Sequence, residues 1–399
     1  MKLSIYSYAI GALLLVLTGC GKTEVYNDVI HDGSPVPITV GVGADVAVES
    51  KAAVDGWYGD TVCVFGLKRQ AGGSYDYDDP GNIVEYPVAV TSSTAGSLEI
   101  YSDPASRYPY FYSEGALYDF FAYHLGGAKV HEVRTEGMLY SMDVELSGCN
   151  DLMYAYTDRA KDLARIGDTN LKETSLYSAS SARYNVTPQL IFEHVLSRFI
   201  FVAKGQGKKY DMVEIEGVEV KAYNRGWLTV NGGELGFKVP QGAEMADVAL
   251  RLPDGKEFVT ENVYPNPHSI PIGGPGACIM VAPGLTELAV NLKMVVKENG
   301  TRMDYPFVVR ASDIRNQQQT PSKEFRAGSY YMIYINVYGP EEIVVSGLLE
   351  NWKENDYLVD PDEDDSGITI LPDDDEDDIE NGVSVGDYDE GGHLGDIVD

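Results

Sequence analysis

Six histidines, His31, His124, His131, His194, His268 and His393, are the residues most suited to hold a metal or move a proton at neutral pH. None stands in HExxH or another paired spacing, and "HEVRT" at His131 lacks a second histidine. Cys63, Cys149 and Cys278 show no CxxC spacing, so zinc is not expected and at most one disulfide can form among them. Cys63 and Cys278, inside "TVCVF" and "ACIMV", read as small buried strand residues. "GGPG" at Gly273 to Gly276 lacks the lysine of a phosphate loop and reads as a turn. Asp360, Asp362 and Asp364 have the one-three-five spacing of a calcium loop, but Asp365 stands where glycine is needed and Leu371 where glutamate is needed. Glu193, His194 and Arg198 lie close in sequence, yet along a strand Glu193 points to one face and the other two to the opposite face. The chain is therefore expected to be no enzyme, with no metal and no cofactor.

Net charge is −32, which argues against nucleic acid as a partner. Residues 353–399 carry nineteen Asp and Glu against one Lys, with few apolar residues, and are expected to form a disordered acidic tail. At the other end, Lys2 precedes an apolar run from Ala9 to Leu17, too short to span a membrane and followed by "LTGC". That tetrapeptide resembles a bacterial lipobox. It implies a lipoprotein signal peptide over 1–19, cleavage before Cys20, a diacylglyceryl thioether on its sulfur, and tethering to the cell outer membrane. Residues 20–37 read as a linker ending in "GSPVP".

From Ile38 onward, short β-branched and aromatic runs recur between Gly, Pro, Asn and Asp clusters, which predicts an all-β fold. "LKMVVKENGTRMDYPFVV" predicts a hairpin with a tight primed turn at Asn299-Gly300. "TDRAKDLARIG" (Thr157 to Gly167) is the best helix, with a capping residue at its start and Gly at its end. The Ser- and Thr-rich stretch from Lys172 to Pro188 suggests a boundary, giving one domain over 38–187 and a second over 188–352. "YPYFY" (Tyr108 to Tyr112) offers Tyr108, Tyr110 and Tyr112 as a glycan platform, although Tyr is also an ordinary sheet residue.

The first strand carries an unusual signal. Ile38, Val40, Val42, Ala44, Val46 and Val48 alternate with smaller or polar residues until Ser50-Lys51. Six apolar side chains on one face, at about 1.5 to 3 kcal/mol for each larger one, would make removal of this strand expensive, on the order of 10 kcal/mol. A whole domain is typically stable by about 5 to 15 kcal/mol. Lys22 and Lys51 are the only lysines between Cys20 and Lys68, and arginine is absent until Arg69. A cut at Lys51, before Ala52, releases lipid and strand together; otherwise Lys51 is a turn residue in a strand that stays. "EEIVVSGLLENW" is the last convincing strand, with Ile343, Val345 and Leu349 on one face and Val344, Leu348 and Trp352 on the other.

Together the lipobox, the first strand ending in a lone basic residue, "YDFFAYHL" (Tyr118 to Leu125), "DLMYAY" (Asp151 to Tyr156), "LIFEHVLSRFIFVAKG" (Leu190 to Gly205) and "FRAGSYYMIYINV" ahead of "IVVSGLLENW" resemble the fimbrillin-like proteins. These are type V pilus subunits of gram-negative anaerobes, and the resemblance covers most of residues 38–352. It implies two tandem transthyretin-like β-sandwiches, surface proteolysis, and loss of the first strand (Ile38, Val40, Val42, Val46, Val48). The donor strand of a neighbouring subunit (Ile343, Val344, Val345, Leu348, Leu349, Trp352) then fills the groove. The family uses arginine at the cut, where this chain has Lys51. The partners implied are other fimbrial subunits and a host glycan or protein receptor. A stalk role is expected, with an anchor or tip adhesin subunit, or a lipid-anchored glycan-binding protein, as alternatives; "ITIL" either extends the donor or belongs to a solvated tail.

Overall fold

Aromatic and β-branched side chains favour a pleated backbone, and runs of them that are apolar at every position can settle only where both sheet faces are covered. The computed structural model describes residues 34–42, 60–70, 72–90, 96–103, 105–167, 171–252, 255–256, 258, 268–314, 323–340, 342–351 and 368–370. The chain divides into Met1–Pro35 and Val36–Asp399, and the strands all belong to the second unit. In the first half they are β1 (Thr39–Val42), β2 (Asp60–Lys68), β3 (Ile83–Val90), β4 (Gly96–Glu99), β5 (Tyr101–Asp103), β6 (Tyr108–Pro109), β7 (Tyr118–His124), β8 (Lys129–Glu136), β9 (Leu139–Glu145) and β10 (Met153–Tyr156). Two helices follow, α1 (Arg159–Ile166) and α2 (Ala179–Arg183). Next come β11 (Gln189–Leu190), β12 (Phe192–His194), β13 (Ser197–Gly205), β14 (Val213–Ala222), β15 (Arg225–Asn231), β16 (Gly236–Lys238) and β17 (Ala246–Ala249). The last are β18 (Ile270–Pro271), β19 (Ile279–Val281), β20 (Glu287–Val296), β21 (Arg302–Arg310), β22 (Ser329–Gly339), β23 (Glu342–Asn351) and β24 (Ile368–Ile370).

The all-β expectation holds, and three apolar cores organise the sheets. The first core includes Ile38, Val40, Val64, Tyr118, Phe120, Ala122, Tyr177 and Leu190, drawn from the sheet β11-β1-β4, the sheet β12-β10-β7-β2-β3 and the helical segment after β10. The second takes the other side of β7 (Phe121, Tyr123), together with β9, β15 and one face of β13 and β22. The third takes the opposite face of those two strands (Phe199, Phe201, Tyr331, Ile333, Ile335) and the sheet β17-β14-β20-β21. Strand β7 is buried at all seven positions, which explains why "YDFFAYH" shows no polar alternation. β14, by contrast, buries Val213, Ile215, Val218, Val220 and Ala222 on one face only. Strand pairing crosses the expected 187/188 junction, because β9 pairs with β15 and β10 with β12.

Helix α1 forms where expected, capped by Asp158, whose carboxylate accepts from the Ala160 and Lys161 amides, and closed by Gly167 at φ 69°. The β20–β21 hairpin also forms, but not through a two-residue primed turn. Lys297 to Gly300 make a four-residue loop closed by Val296 N–H to Thr301 O (2.8 Å) and Gly300 N–H to Val296 O (2.8 Å). Gly300 takes φ 70°, whereas Asn299 stays out of the left-handed region and its side-chain oxygen accepts from the Thr301 amide. The tail expected to be disordered over 353–399 departs from that at Ile368–Ile370. These β-branched residues pair with Ile343–Val345 as β24.

Candidate strand-exchange site

Strand β1 lies in the middle of its sheet rather than at an edge. It pairs antiparallel with β4 (Val40 opposite Leu98) and parallel with β11 (Gly41 opposite Gln189). Just before it, Ile38 N–H donates to Tyr110 O (2.7 Å), and Tyr112 N–H donates to Val36 O (2.9 Å). Ile38 and Val40 are completely buried in the first core. Those two side chains alone contribute about 3 to 6 kcal/mol. Gly41 leaves room for the end of the Gln189 side chain, since a Cβ there would lie 2.2 Å from its nitrogen and the glutamine would have to move aside. Removing β1 would leave a slot walled by β4, β11 and Tyr110–Tyr112 and floored by apolar side chains.

A charged hub braces the sheet beneath that slot. Asp119 on β7, only 8% exposed, accepts from Arg69 Nε and Nη2 (both 2.9 Å), Arg159 Nη1 (2.5 Å) and Tyr75 Oη (3.0 Å). Arg159, at the start of α1, also donates to the Tyr118 carbonyl and so ties helix to strand. Burial, and then the neighbouring Asp119, push the Tyr75 phenol well above its ordinary value, so it stays a donor. Nothing in the sequence marked Asp119, because its partners lie 50, 40 and 44 residues away.

At the other end of the chain, β23 pairs with β22 along its length, from Ile343 opposite Val337 to Asn351 opposite Ser329. Its outer edge is taken by β24 over three residues, with Ile343 opposite Ile370 and Val345 opposite Ile368. Ile343 and Val345 are buried in the third core, while Val344 is half-buried. Val344 is covered less than its neighbours because β23 lies next to the sheet edge and the Ile343 face is the one that meets the third core.

Of the other residues singled out, Cys20, Val46, Val48, Lys51, Ala52 and Trp352 lie outside the described residues, as do Asp360, Asp362 and Asp364. Val42, Leu348 and Leu349 are placed by their backbones alone. Glu193, His194 and Arg198 do not converge, but a break rather than one continuous strand separates them. β12 ends at His194 and β13 begins at Ser197. Glu193 accepts from Tyr154 Oη (3.0 Å), His194 Nδ1 meets Asp151 Oδ1 (2.9 Å), and Arg198 is buried beside the Cys278 thiol, which burial pushes up. Cys63, Cys149 and Cys278 are free thiols. Among the described residues no group of three or more His, Cys, Asp or Glu is placed to hold a metal. Tyr108, Tyr110 and Tyr112 do not share a face: Tyr108 is 59% exposed, Tyr110 is half-buried beside Tyr86, and Tyr112 is 6% exposed in the first core. Alternation along an extended segment cannot make a platform of residues whose backbone edges the first strand.

No family model and no curated protein matches this chain. Among solved structures, a fimbrial protein from Bacteroides vulgatus is similar at 12% identity and TM-score 0.42, over 79% of this chain and 99% of that one. The tip fimbrial protein Mfa3 from Porphyromonas gingivalis, truncated at its C-terminus, is similar at 10% identity and TM-score 0.36, over 80% of this chain and 100% of that one.

Proposed function

We propose that this chain is a structural subunit of a cell-surface fimbrium, held at the outer membrane by lipid on Cys20 and released for polymerisation by a cut between Lys51 and Ala52. The observation that carries this reading is the position of β1, an N-terminal strand with neighbours on both sides and Ile38 and Val40 fully buried. A terminal strand in such a place can be withdrawn only if another strand replaces it, which is β-strand addition used for assembly. Lys51 is the one lysine or arginine between Ala52 and Lys22, so a cut there removes strand and lipid in a single step.

The donor in this reading is the C-terminal strand of the next subunit. Ile343 and Val345 fill the subunit's own third core, so giving up all of β23 would open that core. The donated stretch we favour is therefore the later part, Leu348, Leu349 and Trp352, extended through Ile368–Ile370. Two tandem sandwiches fit the cores, with the first core inside one, the third inside the other and the second as the seam between them. A stalk role follows from having both a slot and a donor.

Gel electrophoresis of surface-extracted protein, boiled and unboiled, tests the assembly. A ladder at multiples of the subunit mass is expected in unboiled samples and should vanish in a Lys51→Ala strain. No ladder in either strain, with unaltered surface exposure, would rule out polymerisation through this cut. Glycan binding as the main role has less behind it, since the three tyrosines diverge. A groove of about 700 Å³ outside the sheet β17-β14-β20-β21 has its cations paired, Lys221 with Asp247 (2.9 Å) and Arg302 with Glu216 (3.0 Å).

A further inference from the structure

The three cysteines that the sequence leaves without a pattern are not equivalent in the fold. Cys63 is on β2, where its thiol is hydrogen-bonded to Tyr123 and faces the charge of Glu85. Cys149 is in the turn between β9 and β10, and Cys278 immediately precedes β19. Backbone bonds bring those last two segments together. Gly148, next to Cys149, accepts through its carbonyl from the Met280 amide (2.6 Å), two residues beyond Cys278. Arg251 and Cys278 exchange both of their backbone bonds (3.3 and 3.1 Å), and Arg251 Nε donates to Ser147 O (3.2 Å), which fastens the same turn a second time.

The two thiols differ in access and in electrostatics. Cys149 is half-buried, and its Sγ makes an exposed contact with Ser147 Oγ (3.4 Å). Cys278 is 1% exposed. Burial pushes the Cys278 thiol up. The charge of buried Arg198 and a hydrogen bond from it oppose this, while Cys149 and the buried Asp151 add to it. Cys149 and Cys278 are thus within electrostatic reach of each other. An accessible thiol beside a buried one that faces a guanidinium suits thiol–disulfide exchange, in which the first attacks an outside disulfide and the second completes the transfer.

We propose that Cys149 and Cys278 form a disulfide that staples the β9–β10 turn to β19. The oxidant is itself a disulfide, carried by a small thiol or by a protein. The Cys149 thiolate attacks one of its sulfurs, the S–S bond breaks, and the leaving thiolate takes up the proton that Cys149 gave up. Cys278 then loses its proton, attacks the Cys149 sulfur of the mixed disulfide and expels the second thiolate, which is protonated in turn. Two electrons pass from the two cysteines to the oxidant; one disulfide is consumed, one is made and two thiols are released. The bridge closes a loop of about 130 residues, so it acts mainly by constraining the unfolded chain. It does not depend on the strand-exchange reading, since neither cysteine belongs to β1 or β23.

Oxidised glutathione added to the reduced, native full chain in detergent tests this, with alkylation before digestion and mass spectrometry of the peptides. A glutathione adduct on Cys149 is expected first, followed by a peptide in which Cys149 is linked to Cys278. Cys278→Ala should halt at the Cys149 adduct. Cys149→Ser, a change at a half-buried turn position, should leave Cys278 unreactive until the chain is unfolded. The linked chain should unfold in urea at a midpoint about 1 M above that of Cys149→Ser treated alike, and reduction should close the gap. The pairing is overturned if neither thiol reacts, if Cys149 keeps its adduct while Cys278 is present, or if the link joins Cys63 or a second copy. A link that forms only in denaturant would also overturn it, by showing that the fold holds the two thiols apart.

Discussion

The first strand described, β1, and the last long one, β23, are held in opposite ways. β1 has four residues, two neighbours and fully buried side chains at Ile38 and Val40. β23 has ten residues, a ladder with β22 along its length, and a half-buried Val344 beside buried Ile343 and Val345. Burial dominates the first, and backbone pairing dominates the second. Because the hydrophobic contribution is non-directional, any strand with suitable side chains can stand in for β1. A ladder as long as that of β23 is harder to part, so in the proposed exchange its start, Ile343–Val345, stays in place and the detachable piece is its later part with the edge strand beyond it.

The strongest way to break this comparison is to remove each end in turn. A chain beginning at Ala52 and kept monomeric should lose about 5 kcal/mol or more in urea titration, since burial of two core side chains and both flanking ladders disappear. A chain ending at Trp352 should unfold within about 1 kcal/mol of the native one, because only a three-residue edge strand is lost. Equal losses from the two truncations would erase the distinction.

The support beneath β1 comes next. Asp119→Ala leaves Arg159, whose side chain is only 10% exposed, without its carboxylate, and is expected to cost about 3 to 5 kcal/mol in chemical denaturation. Asp119→Asn should cost less by keeping the shape. A smaller effect, about 2 to 5 kcal/mol, is expected for Ile38→Ala, against less than about 1 kcal/mol for Val344→Ala in β23. Thermal melts of the pair would sharpen the contrast, and a reversed ranking would contradict it.

The smallest effect concerns pH. Asp143 on β9 is held below the ordinary carboxylate range chiefly by hydrogen bonds from Arg225 on β15, at 3.0 Å from Nε and a shorter contact from Nη2. A lowered carboxyl contributes stability that is fully present above its ordinary value, about pH 4, and is lost as pH falls through the lowered one. Arg225 is exposed, so solvent screening limits the contribution to below about 1 kcal/mol. Comparing Asp143→Asn with the native chain between pH 7 and pH 2 should show a gap that closes on acidification; a gap that widens would reverse the sign.

Much of the architecture could be read from the residues. The aromatic and β-branched runs at Tyr118–His124 and Tyr330–Ile335 are legible as strands; that each has a core on both sides, while Val213–Ala222 has a wet face, is set by the sheets that pack on them. What stayed hidden depends on partners far along the chain. β11 has two residues and no pattern of its own, yet it walls the slot because Pro188 and Gln189 lie against Gly41. Asp119 has no local signal, because Arg69, Arg159 and Tyr75 reach it from distant segments. β24 is only one of two readings open for "ITIL", since its acidic surroundings dilute the three β-branched residues that find a ladder. The loop at Asn299-Gly300 was recognised as a turn, but its length follows from the register of β20 on β21, which local sequence does not specify.

N-terminal sequencing of subunits taken from assembled surface filaments tests the central claim most directly. A first residue of Ala52, with no lipid-bearing peptide, is the result expected if β1 is exchanged for a neighbour's strand. Filament subunits that begin at lipidated Cys20, with residues 38–48 still attached, would contradict it.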